Sequence, residues 1–293
     1  MFAKRADNRH VCLTTGQCAA LACLLEVSAP KPGNVWRGAD FADMTFLDLA
    51  VSGVALVPVI DRATERPVGE TILAAVEAMR ASVGTNTHLG SILLIAPLAA
   101  VPRDEKLVAG LPAVLASLSV DDARHTYQAI RLAQPGGMGQ VDQADLADDP
   151  DLSLVACMAL ASDRDLVARQ YTEGFSTVID LVVPSLEKGV RTGQALEDAI
   201  VLTALRLLAE YPDSLIARKC GPDAARQTSG RAAHVLDAGQ PGETAFQRAL
   251  SDLDFWLRSD GNRRNPGTTA DLITAGLFVM LREGRLDFPL RWL

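Results

Sequence analysis

Three short stretches set reactive polar side chains against apolar, helix-like runs. The first is Glu26 followed by Pro30-Lys31-Pro32-Gly33-Asn34. Two prolines and a glycine make a stiff turn that carries a cation and an amide, Lys31 and Asn34, next to a carboxylate. Such a turn suits phosphate or carboxylate recognition, and equally suits a plain helix stop with solvated polar residues. The second is Gly84-Thr85-Asn86-Thr87-His88-Leu89-Gly90. Free N–H groups and the dipole at a helix start favour an anion there. One Thr or Asn is explained as a cap; four polar residues in a row are not. His88 fits a proton donor, a phosphate contact or a satisfied core histidine. The third is Asn265-Pro266-Gly267-Thr268-Thr269-Ala270-Asp271, preceded by Arg263-Arg264. Asp271 reads as an N3-type capping acid or as a magnesium ligand facing a cleft. Arg264 reads as half of a phosphate clamp or as a solvated surface arginine.

Weaker signals surround these. Asp163-Arg164-Asp165 precedes Arg169, and Asp165 and Arg169 at i,i+4 read as a surface ion pair. The acidic run over 142–151 reads as a solvated loop. Cys12, Cys18, Cys23, Cys157 and Cys220 form no CxxC pair and are odd in number, which argues against a disulfide framework and a structural zinc site. Free thiols fit a reducing cytoplasm.

The elements that must position these residues repeat at helical period. Apolar runs over Val11–Ser28, Phe46–Asp61, Val68–Ala81 and Thr85–Ala100 predict helices, with Pro97 expected to kink or end the last. Asp104–Ser117, Asp121–Ala133, Leu152–Glu187, Ala195–Glu210, Phe246–Arg258 and Thr268–Arg282 follow, with a loop forced at 134–139. Strict alternation, a glycine-rich phosphate loop after a strand, and a 20–50-residue repeat are all missing. With 293 residues, 48% hydrophobic and only 5% aromatic, the expectation is an all-α fold, a single globular helical bundle domain spanning 1–293. A formal net charge of −8 disfavours nucleic acid as a partner. MFAKRADNRH holds no apolar run for a secretory signal, and the apolar stretches at 49–60 and 89–101 are too short to span a bilayer, so no membrane association is expected. Leu/Ala-rich helices leave room for a homodimer.

Taken together, EVSAPKPGN over 26–34 with its preceding helix end, Asp43-Met44, GTNTHLG over 84–90 and NPGTTADL over 265–272 resemble, in order and spacing, the triphosphoribosyl-dephospho-CoA synthase family. That family shows E…PKPG, a later DM pair, an NTHKG block and an SPGGSADLL block. The resemblance runs from about residue 20 to 285. It implies a helical fold and condensation of ATP with dephospho-CoA. A hydroxyl attacks C1′ of the ATP ribose, adenine leaves and the triphosphate stays.

On matched positions, the resemblance implies Glu26, His88 and Asp271 as catalytic residues. Lys31, Asn34 and Asn86 would bind substrate, and Asp43 and Asp271 would bind Mg²⁺; Thr85 and Arg264 join the substrate-binding candidates on the reading of the residues themselves. Lys31 would contact phosphate, His88 would donate a proton, and Glu26 would position Lys31 or act as base. Leu89 departs from the pattern, standing where the NTHKG block has lysine. Stretches over 127–139, 161–165 and 211–219 resemble a divergent branch that accompanies tetrahydromethanopterin-dependent one-carbon metabolism. This opens a second reading, phosphoribosyl transfer from phosphoribosyl pyrophosphate. A third is a non-catalytic nucleotide-binding protein. In the first two readings the partners are a small-molecule nucleotide or phosphoribosyl donor and a cofactor-precursor acceptor.

Overall fold

The structure, a computed structural model, describes residues 12–134 and 149–292. The loop expected at 134–139 and most of the acidic run therefore lie outside the described residues. Helices account for the architecture, and no strand is present among the described residues.

Helix α1 (Thr15–Ser28) starts on a reciprocal cap between Thr14 and Gln17 and stops at Ala29, ahead of Pro30. The single apolar helix expected over 46–61 is two pieces, α2 (Phe46–Ala55) and α3 (Val57–Ile60). Pro58 has no amide to give to the carbonyl of Val54, so the chain tightens at Leu56 and restarts. Helix α4 (Val68–Val83) ends on Gly84. Helix α5 (Leu89–Ala100) begins four residues later than expected, because 85–88 form a polar loop. Pro97 does not end it. The Leu93 carbonyl, deprived of its i+4 donor by Pro97, accepts the hydroxyl of buried Tyr171 at 2.6 Å.

The chain continues through α6 (Leu107–Ser117), α7 (Val120–Ala133), α8 (Leu154–Ala159) and α9 (Leu166–Thr172). A π-helical turn over Thr177–Val182 feeds α10 (Val183–Arg191), followed by α11 (Leu196–Glu210). Helices α12 (Ser214–Cys220) and α13 (Pro222–Asp237) fill a stretch with no clear period in the sequence. Last come α14 (Thr244–Arg258) and α15 (Gly267–Arg282). Helix α15 is buried on almost every side, and α1, α5, α10 and α11 pack around it. One continuous apolar cluster runs from Cys18 to Leu286. A satellite of Val27, Val35, Phe41 and Leu49 sits beneath the turn that follows α1. No helix among the described residues is long and apolar enough to cross a membrane.

Candidate active site

All three polar stretches converge on one cleft of about 930 Å³. Its lining includes Glu26, Asn34, Asp43, Thr85, Asn86, His88 and Asp271. The helix that centres the fold supplies its floor. Asp271 lies in the second turn of α15, and its Oδ1 accepts the Ser91 hydroxyl at 2.7 Å. This places the carboxylate against the start of α5, where the helix dipole favours negative charge. Gly90 permits the approach: a Cβ there would lie 2.0 Å from Asp271 Oδ2.

Asp271 is therefore not a cap. The first turn of α15 is held by Asp213, whose Oδ2 accepts both the amide and the hydroxyl of Thr269 at 2.8 Å. The other oxygen of Asp213 caps α12 through Leu215 and Ile216. This one buried carboxylate fixes two helix starts, leaving Asp271 free to face the cleft.

Glu26, in the last turn of α1, is buried and ion-paired to Lys31 at 2.8 Å. Lys31 is buried too, and its Nζ also donates to the carbonyls of Glu26 and Ala29. The ammonium thus turns back into the helix end, and Lys31 is not among the residues that line the cleft. Burial pushes the Glu26 carboxyl up from its ordinary range, and Lys31 pulls it back. Asp271 has no cationic partner among the described residues. Burial pushes it up to about 7; the Ser91 hydrogen bond opposes this, while the charges of Glu26 and Asp213 add to it.

His88 sits at the N-cap position of α5, buried, with Nε2 2.8 Å from the Leu49 carbonyl. A carbonyl only accepts, so Nε2 carries the proton. Burial depresses the His88 pKa despite that bond. A neutral ring donating through Nε2 keeps Nδ1 as an acceptor. Asn34 Nδ2 donates to Asn265 Oδ1 at 2.7 Å, tying the first stretch to the third. Asn86 Oδ1 accepts the Leu89 amide at 3.2 Å. Asp43 is exposed on the rim, and Leu89 is buried in the wall.

Arg264 does not line the cleft. Its guanidinium stacks over Trp256 at 4.4 Å and donates to the Trp256 carbonyl. Asp165 does not pair with Arg169 either. It caps α9 and faces Arg218 at 3.6 Å, while Arg169 donates to the Ser162 carbonyl. The cations that do line the cleft are Arg80, Arg164, Arg218 and Lys219; the last three lie in the stretches 161–165 and 211–219, to which the sequence assigns no binding role.

The geometry defines a ligand cleft of nucleotide size with two buried carboxylates and a neutral imidazole on its floor. Residues 12–288 match the family described as ATP:dephospho-CoA triphosphoribosyl transferase, and the chain belongs to that family. A Pseudomonas putida protein described as a probable 2-(5''-triphosphoribosyl)-3'-dephosphocoenzyme-A synthase is 26% identical over 86% of this chain and 88% of its own length. Another of that description, from Pseudomonas savastanoi pv. phaseolicola, is 25% identical over 69% of this chain. The match spans only 62% of that relative's length. A crystal structure from Archaeoglobus fulgidus, assigned as a triphosphoribosyl-dephospho-CoA synthase, superposes with a TM-score of 0.61 at 26% identity. It covers 80% of this chain and 98% of that one.

Proposed function

We propose that this chain transfers a phosphorylated ribosyl group from ATP to a hydroxyl of a nucleotide-like acceptor such as dephospho-CoA, releasing adenine. The supporting observation is the pair Glu26 and Asp271, two carboxylates in one desolvated floor beside a neutral histidine. Glycosyl transfer passes through an oxocarbenium-like centre, and buried negative charge stabilises it strongly. Glu26, ion-paired to Lys31, would supply that charge in its ionised form. The acceptor O–H breaks as its oxygen bonds to C1′, and His88 Nδ1 takes the proton. The C1′–N bond breaks with its electrons going to adenine. Asp271, protonated below about pH 7, returns a proton to the departing base. Asn34, Thr85 and Asn86 offer hydrogen bonds to ribose or phosphate from the walls.

Mg²⁺ fits as an ion carried in by the phosphates. Among the described residues no group of three or more His, Cys, Asp or Glu is arranged to hold a metal. Mg²⁺ typically takes only one or two carboxylates besides phosphate oxygens and water. Asp43, which lines the rim, would be one of them. When bound, the ion would neutralise phosphate charge.

The test is incubation of the pure protein with Mg²⁺, ATP and dephospho-CoA, followed by mass spectrometry. Adenine and a triphosphoribosyl adduct are the expected products. Pyrophosphate release from phosphoribosyl pyrophosphate with a pterin-ribitol acceptor, and none from ATP, would reassign the donor. Binding of both donors without product would leave a nucleotide-binding protein.

A further inference from the structure

The cleft is electrically two-sided. Its floor, built from α1, α5 and α15, carries Glu26 and Asp271. Apart from Asp43 in the loop before α2, its other cationic and anionic side chains come from the end of α4, the stretch between α8 and α9, and the end of α12. There stand Arg80, Arg164, Arg218 and Lys219, against Asp165, with Asp43 on the rim as the one further carboxylate among the lining residues outside the floor. Arg218 shares Asp165 at 3.6 Å. Arg80, Arg164 and Lys219 have no side-chain hydrogen bond or ion pair among the described residues.

Unpaired cations also occur elsewhere among the described residues, as at Arg66, Arg191, Arg206 and Arg248, so it is their convergence that marks those of the cleft. Other arginines find a carboxylate. Arg62, Arg124, Arg226, Arg258 and Arg285 each do so. Three that do not, brought to one cleft from two distant helix ends and an interhelical turn, form a concave field of one sign. Helix-dipole complementarity explains a basic last turn at α12 but not Arg164, which lies between helices.

The geometry points to a polyphosphate seat made by Arg80, Arg164 and Lys219, with Arg218 as a partly neutralised fourth. A chain of phosphoryl groups matches such a set better than a single carboxylate does, because its oxygens are spread along the ligand and reach cations from separate elements. It also fixes polarity: phosphates lie on the basic wall, so the remainder of the ligand points to the carboxylate floor. This orientation rests on the ribosyl-transfer reading above, whereas the seat itself rests only on the cations.

The probe that separates the two is inorganic tripolyphosphate, which has neither ribose nor base. Its binding to the full chain, measured by titration calorimetry at two salt concentrations with and without Mg²⁺, reports the seat alone. Arg80→Ala, Arg164→Ala and Lys219→Ala are each expected to weaken binding by roughly tenfold, the size of a lost charge-assisted contact, and to flatten its salt dependence. Arg124→Ala, on an exposed pair with Asp121, is expected to change nothing. Circular dichroism melts confirm that each variant folds. Absence of tripolyphosphate binding, unchanged affinity in the three cleft variants, or an equal loss in Arg124→Ala would overturn the seat. Retained tripolyphosphate binding without adenine release from ATP would leave the seat standing and remove the reaction. Adenine release with unchanged KM for ATP in all three variants would do the reverse.

Discussion

The floor and the wall of the cleft are made in opposite ways. On the floor every charged or polar group is fixed: Lys31 by three acceptors, Asp271 by Ser91, His88 by Leu49, and the α15 start by Asp213. On the wall Arg80, Arg164 and Lys219 are fixed by nothing and are partly or fully exposed. Rigid, desolvated groups suit a developing charge at one atom, because no reorganisation is needed when the charge appears. Long, solvated side chains suit a flexible polyanion whose position is set by several weak contacts. Floor substitutions should therefore damage the fold or the chemical step, and wall substitutions should damage affinity.

The largest effect is expected at Lys31. Lys31→Met leaves Glu26 buried without its counter-charge, and removing one partner of a buried pair costs about 3–5 kcal/mol. Urea denaturation should show that loss, and the double variant Lys31→Met/Glu26→Gln should recover much of it. A loss below about 1 kcal/mol would mean that the pair is solvated and that the floor is no more rigid than the wall.

Asp271→Asn should separate stability from activity. With its folded pKa near 7 against an ordinary 3.8, Asp271 holds its proton more tightly folded than unfolded. Its contribution is therefore most favourable below pH 3.8, declines as pH rises from there to about 7, and is flat above. Asp271→Asn should remove that decline and stabilise the protein at pH 8 by up to roughly 4 kcal/mol, while turnover falls by about 100-fold or more. Equal stability of the two proteins at pH 5 and at pH 8 would show that the carboxylate is not desolvated.

Ser91→Ala acts on the same group more gently. The lost hydrogen bond favours the ionised carboxylate, so Asp271 should titrate higher, moving the alkaline fall in kcat upward by about one pH unit. A pH–rate profile superimposable on that of the unaltered protein would remove Asp271 as the proton donor.

The legible part of this molecule was what sequence-local physics determines. Helical period and proline stops lie within one or two turns of chain, and the helices at 15–28, 68–83, 196–210 and 267–282 follow from them. The carboxylates and histidine of the floor were legible because each stands out against apolar neighbours. What stayed hidden depends on partners far along the chain. Pro97 is tolerated inside α5 only because Tyr171 reaches Leu93 from 78 residues away. Asp271 is displaced from a capping role only because Asp213, 56 residues before Thr269, has taken it. The wall cations were missed for a related reason. Arg80 has no signal near it, and no binding role is legible in the stretches holding Arg164 and Lys219, so only the shared cleft brings the three together.

Arg264 provides the smallest and sharpest test of the division, since its position in the sequence suggests a phosphate clamp and the fold gives it another use. Its guanidinium lies between the Trp256 ring and the Trp256 carbonyl and never faces the cleft. Arg264→Ala should therefore cost about 0.5–1 kcal/mol of stability, the scale of a half-exposed cation–π contact, and leave KM for ATP and tripolyphosphate affinity within about twofold. Trp256 fluorescence should shift as the ring loses its cover, reporting the structural change directly. A tenfold loss of tripolyphosphate affinity with an unshifted tryptophan would place Arg264 at the phosphates after all. The basic wall would then extend along α15's leading loop, and floor and wall would no longer be separate parts of the cleft.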